Sequence, residues 1–283
     1  MGLMEILGRS IGSILKRPFI IIFWGIIMLM FTAAGYYLPV FRIIYKLGAI
    51  SGSSPTESIM SFIQLLYSYL SDAKLIFIII FVYLVLLLLV SLISGLLLSG
   101  YIYVVHNTVN KKQKPKAEFL TGIKKYFSQT WLITFIILLS GSLLIIVMAI
   151  STVPALVITG TFINKGDNIL PAILFVDVLT CVVLFFGLMF FRIYTLFLYP
   201  SLVSSREKYF FNAKQLVDEN FWSILLAMLV FDVVFIGFQA LFLNLSNNIF
   251  VLFVKWIFLT VFYALFSTYI FCAYNKYSES SAS

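Results

Sequence analysis

Ionisable side chains inside apolar runs are the first candidates for chemistry in this chain, because a charge within a membrane-spanning helix is costly. Asp232, in Phe231-Asp232-Val233, lies near the middle of one run, while Asp177, in Val176-Asp177-Val178, and Lys255 lie nearer the ends of two others. Counted at 1.5 Å per residue from the outer ends of their runs, Asp177 and Lys255 fall at similar depth, with Asp232 roughly 8 Å deeper and within reach of a lysine. Two readings follow. The three groups could line a proton- or cation-linked site, or they could form an internal ion pair or a protonated carboxyl hydrogen-bonded within a bundle.

Other chemistry has weaker footing. His106, the single histidine, stands at the end of an apolar run and reads as an interfacial residue. Without an acid–Cys cluster it gives no expected metal site. Cys181 and Cys272 fall inside apolar runs and read as buried thiols. The chain has no phosphate-cradling glycine loop, and Ser205-Arg206-Glu207-Lys208 matches only a loose Ser-x-x-Lys spacing. No enzymatic activity, metal or cofactor is expected.

The elements that hold these residues follow from composition. Of 283 residues, 62% are hydrophobic and 11% charged, against roughly 25% charged in a soluble domain. Such a chain cannot build a water-facing surface. A bilayer-crossing helix needs about 20 mostly apolar residues, and six stretches qualify: about 18–38, 75–105, 131–158, 169–199, 221–243 and 249–274. The expected fold is all-α, a polytopic transmembrane bundle forming one integral membrane domain over residues 1–283. Thr32-Ala33-Ala34 loosely resembles a cleavage site, but its apolar run is long for a signal peptide and follows a patterned segment. It reads as a retained span.

Basic residues set the orientation. With the N-terminus inside, fourteen Lys and Arg fall on the cytoplasmic side and five outside. Both termini are therefore expected in the cytoplasm of a bacterial cell. The net charge of +8 then reflects topology and attraction to anionic headgroups, contacted by Lys16, Arg17, Lys124, Lys125, Arg192 and Lys214. Arg192, near the inner end of its run, would snorkel to phosphate. Nucleic acid is not an expected partner, since the basic residues flank spans.

The cytoplasmic segments are patterned. Phe119, Leu120, Ile123, Tyr126 and Phe127 recur with helical period opposite Glu118, Thr121, Lys124 and Lys125. Phe210, Ala213, Val217 and Phe221 repeat the arrangement opposite Asn212, Lys214, Gln215 and Asp218, and Met4, Leu7, Ile11 and Ile14 give a third copy. Each predicts an amphipathic helix lying in the interface. Phe119 precedes Trp131, and Phe210 precedes Trp222, by the same interval. The chain thus reads as three parallel units, each an elbow helix followed by a pair of spans. Ser54-Pro55-Thr56-Glu57 opens a further amphipathic helix on the outer side, with a neutral polar face through Ser71.

Packing is signalled by Ser91, Gly95 and Ser99, spaced every four residues to permit close helix approach, within the chain or in a homo-oligomer. Pro154 and Gly237 could each permit a kink.

Two stretches carry a family resemblance: the end of the second span through Lys111–Trp131, and Phe191–Trp222, where Tyr199-Pro200-Ser201-Leu202-Val203 leads into an amphipathic helix and Asn220-Phe221-Trp222. The arrangement resembles the multi-span membrane domain attached to some bacterial glycerophosphodiester phosphodiesterases. The catalytic barrel of those enzymes is absent, so the resemblance implies a membrane-embedded scaffold or accessory subunit with a cytoplasmic protein partner. The alternative is a small transporter or permease component built around Asp177, Asp232 and Lys255.

Overall fold

The computed structural model describes residues 3–37, 73–112, 115–165, 170–205, 208–243 and 249–281. Among these residues every regular element is an α-helix: α1 (Leu3–Lys16), α2 (Phe19–Tyr37), α3 (Ala73–Val109), α4 (Glu118–Lys165), α5 (Leu170–Ser204), α6 (Tyr209–Leu243) and α7 (Ile249–Ser281). The helices α3 to α7 are each long and apolar enough to cross a membrane, and α1 with α2 forms a sixth candidate, bent by 88°. The fold is an all-helical membrane bundle. The patterned 54–71 segment and Arg206-Glu207 lie outside the described residues.

Local chemistry decides where each elbow ends. At the first, Pro18 has no N–H to donate and suits the start of a helix; α2 begins there, with the Ile22 N–H donating to the Pro18 carbonyl at 3.0 Å. At the third, Asn220 leaves helical geometry (φ −121°, ψ 17°), and its side-chain amide donates to the Leu216 carbonyl at 3.1 Å. The second elbow differs from the sequence expectation. Glu118–Lys165 is one helix of 48 residues, because Ser128-Gln129-Thr130 contains no Pro, Gly or Asn to interrupt the backbone ladder.

The chain divides into two compact units. One comprises Met1–Tyr37, Ile93–Thr134 and Phe191–Ser283. Within it α7 packs against α1, α2 and α6. Edge-to-face, tilted and stacked ring pairs, Phe231–Phe266, Phe235–Phe262 and Phe238–Phe258 respectively, set α6 against α7 in antiparallel register. The α3–α4 crossing depends on glycine. A Cβ on Gly95 would stand 2.7 Å from the Trp131 Cα, and one on Gly122 would stand 2.9 Å from the Ser99 carbonyl oxygen. Ser99 is fully buried, and beside it Gly100 faces the Phe119 ring, 2.5 Å from where a Cβ would lie.

The other unit comprises Leu38–Leu92 and Phe135–Phe190. Its described side chains are mostly exposed apolar ones; Leu87, Ser91, Ala155 and Met189 are the buried exceptions. In its α3 portion the consecutive residues Phe77 to Ile80 are all exposed.

The elbows also seat differently from the simple face-down expectation. Along α1, Ile6, Ser10 and Ile14 are buried while Met4, Ile11 and Leu15 remain exposed. On α6, Ala213, Leu216 and Val217 are buried while Phe210, Phe211 and Trp222 remain exposed. Each helix therefore uses a narrow stripe to pack on the protein and leaves a second apolar stripe open.

Candidate functional site

Polar side chains concentrate on the side of the first unit that carries the N-terminus. At its centre the Arg17 guanidinium donates from one nitrogen to both Glu118 oxygens, at 2.6 and 2.5 Å. Its other nitrogen donates to the Lys112 carbonyl at 3.0 Å, and the Asn107 amide donates to Glu118 at 2.8 Å. The pair is enclosed, with side-chain exposures of 14% and 5%. This corrects two expectations: Arg17 reaches a carboxylate within the protein instead of a lipid headgroup, and Glu118 leaves the polar face of its elbow. The cause is backbone geometry. Ala117 adopts a left-handed φ of 54°, which aims the first residue of α4 back toward the α1–α2 corner.

Opposite this clasp, α3 closes with paired end bonds. The Lys112 N–H donates to the Asn107 carbonyl at 2.9 Å and the Lys111 N–H to the Thr108 carbonyl at 3.1 Å, while Lys111 sits at φ 53°. That is the geometry of a Schellman cap, with lysine where glycine is usual. His106 is buried and contacts Asn110, which accepts a 2.9 Å bond from the Asn275 amide. Glu5 accepts from Arg9 at 2.9 Å and from Lys276 at 3.3 Å, and the Lys276 bond holds its carboxyl below the usual range.

Between α1, the end of α3 and α7 these residues enclose a polar cavity of about 490 Å³, lined among others by Arg9, Ser13, Lys16, Lys111, Asn275 and Glu279. Lys16 also borders an apolar crevice of about 610 Å³ with Arg17, Phe19, Ile22, Phe119 and Leu120.

The intramembrane candidates take different partners from those anticipated. Asp232 accepts a 2.5 Å bond from Arg192, whose guanidinium also lies 5.1 Å from the Phe266 ring centroid. Arg192 therefore serves a protein carboxylate in place of a phosphate. Lys255 does not meet Asp232, because the α6–α7 ring register sets it opposite about Phe242, roughly 15 Å along α6 from Asp232 at 1.5 Å per residue. Among the described residues Lys255 makes no ion pair. Asp177 belongs to the other unit and is half-buried on α5. Neither the polar cavity nor the apolar crevice is lined by any of these three residues.

No known protein family, curated protein or solved structure matches this chain. Its site residues must therefore be read from their own geometry.

Of the remaining headgroup candidates, Lys16, Lys124, Lys125 and Lys214 are exposed, and Lys125 lies over the Tyr126 ring at 5.1 Å. Ser91 is fully buried in the second unit. A further polar cluster went unread in the sequence. The Trp24 indole donates to the Tyr101 and Ser267 hydroxyls at 2.8 and 3.1 Å, joining α2, α3 and α7. A Trp, a Tyr and a Ser in three separate apolar runs carry no pattern that marks them as partners.

Proposed function

We propose that the chain is a non-enzymatic scaffold or accessory subunit of a bacterial cytoplasmic membrane, with both termini in the cytoplasm. The Arg192–Asp232 pair carries this reading. The acid set deepest in a span is neutralised by a cation from the neighbouring helix, so it fastens α5 to α6 and is not held ready for a transported ion. Exposed Lys116, Lys124 and Lys214 suit anionic headgroups and an acidic protein surface.

The test is ion flux in proteoliposomes loaded with a pH-sensitive dye. The scaffold reading expects native protein, Asp232→Asn and Arg192→Gln all to match empty liposomes, with both variants less heat-stable and the charge-swapped double variant partly restored. It further expects a stoichiometric protein in gentle purifications that is lost when Lys116, Lys124 and Lys214 are reversed to Glu. A native flux abolished by Asp232→Asn at unchanged stability would overturn it. That result would favour the transporter reading, which draws support from Lys255, a residue without an ion pair among the described residues.

A further inference from the structure

We infer that the polar cavity between α1, α3 and α7 is a binding site for the phosphate group of an anionic phospholipid, whose acyl chain follows the adjoining apolar crevice. The cavity, about 490 Å³, falls in the size range of small-molecule sites. Its charge is positive. Arg9, Lys16 and Lys111 line it, and Lys276 stands behind Arg9 on the shared Glu5 carboxylate. Against these four cations stand Glu5 and Glu279, leaving two positive charges. The C-termini of α1, α3 and α7 each contribute about half a negative charge, so about half a positive charge remains unanswered.

Lys16 and Lys111 are the two cations concerned, since neither has an ion-pair partner among the described residues. Both are held in place by backbone. Lys16 is the last residue of α1, before the sharp turn at Pro18, and Lys111 occupies the left-handed position of the α3 cap. Hydrogen-bonding groups from Ser13, Asn110 and Asn275 complete the lining.

The second observation is what lies across Lys16. The same residue borders the crevice formed by Phe19, Ile22, Val104, Phe119 and Leu120. A cationic, polar chamber joined at one lysine to an apolar channel matches an amphiphile, with its phosphate on Lys16 and its chain along Phe19 and Phe119. A water-soluble phosphate ester would share the first contact and leave the second surface unused. This inference is separate from the accessory role, because ligand retention is read without any protein partner.

The test is native mass spectrometry of the purified full chain with added dioleoyl-phosphatidylglycerol or dioleoyl-phosphatidylcholine, beside thermal-shift titration with glycerol 3-phosphate and inorganic phosphate. One phosphatidylglycerol should be retained at least tenfold better than phosphatidylcholine. Lys16→Gln/Lys111→Gln should reduce that retention about tenfold, and Lys74→Gln/Lys208→Gln, which removes equal charge at exposed positions elsewhere, should leave it unchanged. Gly12→Leu provides a variant that keeps every charge. A Cβ at Gly12 meets nothing within 4 Å although Gly12 lines the cavity, so the leucine should displace the lipid while α1 stays folded. Equal losses in both lysine pairs would overturn the site in favour of diffuse surface attraction, as would full retention in Gly12→Leu. A shift with glycerol 3-phosphate or inorganic phosphate, without lipid retention, would overturn the lipid assignment in favour of a soluble phosphate ester.

Discussion

The two units of this molecule hold their helices by different means. The first carries ion pairs at Arg17–Glu118 and Arg192–Asp232, the Trp24–Tyr101–Ser267 triangle and a ladder of aromatic rings between α6 and α7. Each of these specifies one partner and one register. The second unit presents long, evenly apolar helix surfaces, with few described side chains buried. In a bilayer such surfaces are already in a solvent as apolar as themselves, so packing alone gives them little preference for one neighbour. Directional bonds of this kind give the helices of the first unit one partner and one register.

The largest expected effect tests that contrast directly. Glu118→Gln leaves Arg17 buried and unneutralised, a change worth about 3–5 kcal/mol. Thermal unfolding in detergent should show a larger loss than for any exposed apolar substitution in the second unit, such as Phe175→Ala or Ile145→Ala, expected within about 0.5 kcal/mol. Equal losses would erase the distinction between the units. Next comes Asp232→Asn, which strands Arg192 in a span at about 2–3 kcal/mol, read by the same measurement.

A pair of glycines sharpens the comparison at smaller scale. A Cβ at Gly95 meets Trp131 backbone at 2.7 Å, whereas one at Gly187 meets only the tip of Met148 at 2.8 Å. Gly95→Ala should cost about 1–3 kcal/mol through overpacking. Gly187→Ala should be neutral or slightly stabilising, since Met148 can swing aside and alanine favours helix by up to about 1 kcal/mol. Comparable losses at both sites would mean that the second unit is as tightly specified as the first.

The smallest effect is that of pH on the α1–α7 contact. Lys276 holds the Glu5 carboxyl below its ordinary range. Its contribution is therefore present above the unfolded value, about 4.3, and is lost as pH falls through the lower folded value. Crosslinking between α1 and α7 should be constant near neutrality and weaken only under acid conditions. Glu5→Gln should remove that dependence.

The long apolar helices were legible because a run of about 20 apolar residues has few other uses. The α3–α4 contact was legible at Gly95 and Ser99, where small side chains recur with the helix period. Elbow ends could be read at Pro18 from its missing donor. At Ser128-Gln129-Thr130 the polar residues suggested a boundary that the backbone does not make, since polarity alone does not interrupt a helix. Pairing was the least legible level. Depth counted from the span ends placed Lys255 near Asp232, but the ring register between α6 and α7 sets their separation, and that register depends on rotation and offset between helices. Glu118 looked like a solvent-facing elbow residue until the left-handed Ala117 turned it inward. The sequence signal available for that contact was Asn107, an amide donor at the inner end of an apolar run.

The Arg17–Glu118 clasp also has a consequence in time. Its partners are separated by 101 positions along the chain, and ribosomes add about 5–20 residues per second. The first corner of the protein therefore waits roughly 5–20 s after Arg17 is made before its carboxylate exists. During that interval the protein contacts open to α2 are those with α3, such as Trp24–Tyr101, and the third helix must already have entered the membrane for Asn107 to join the corner. Glu5 waits longer still, until Lys276, 271 positions later, is synthesised. The α1 elbow is thus made well before the partners that secure it.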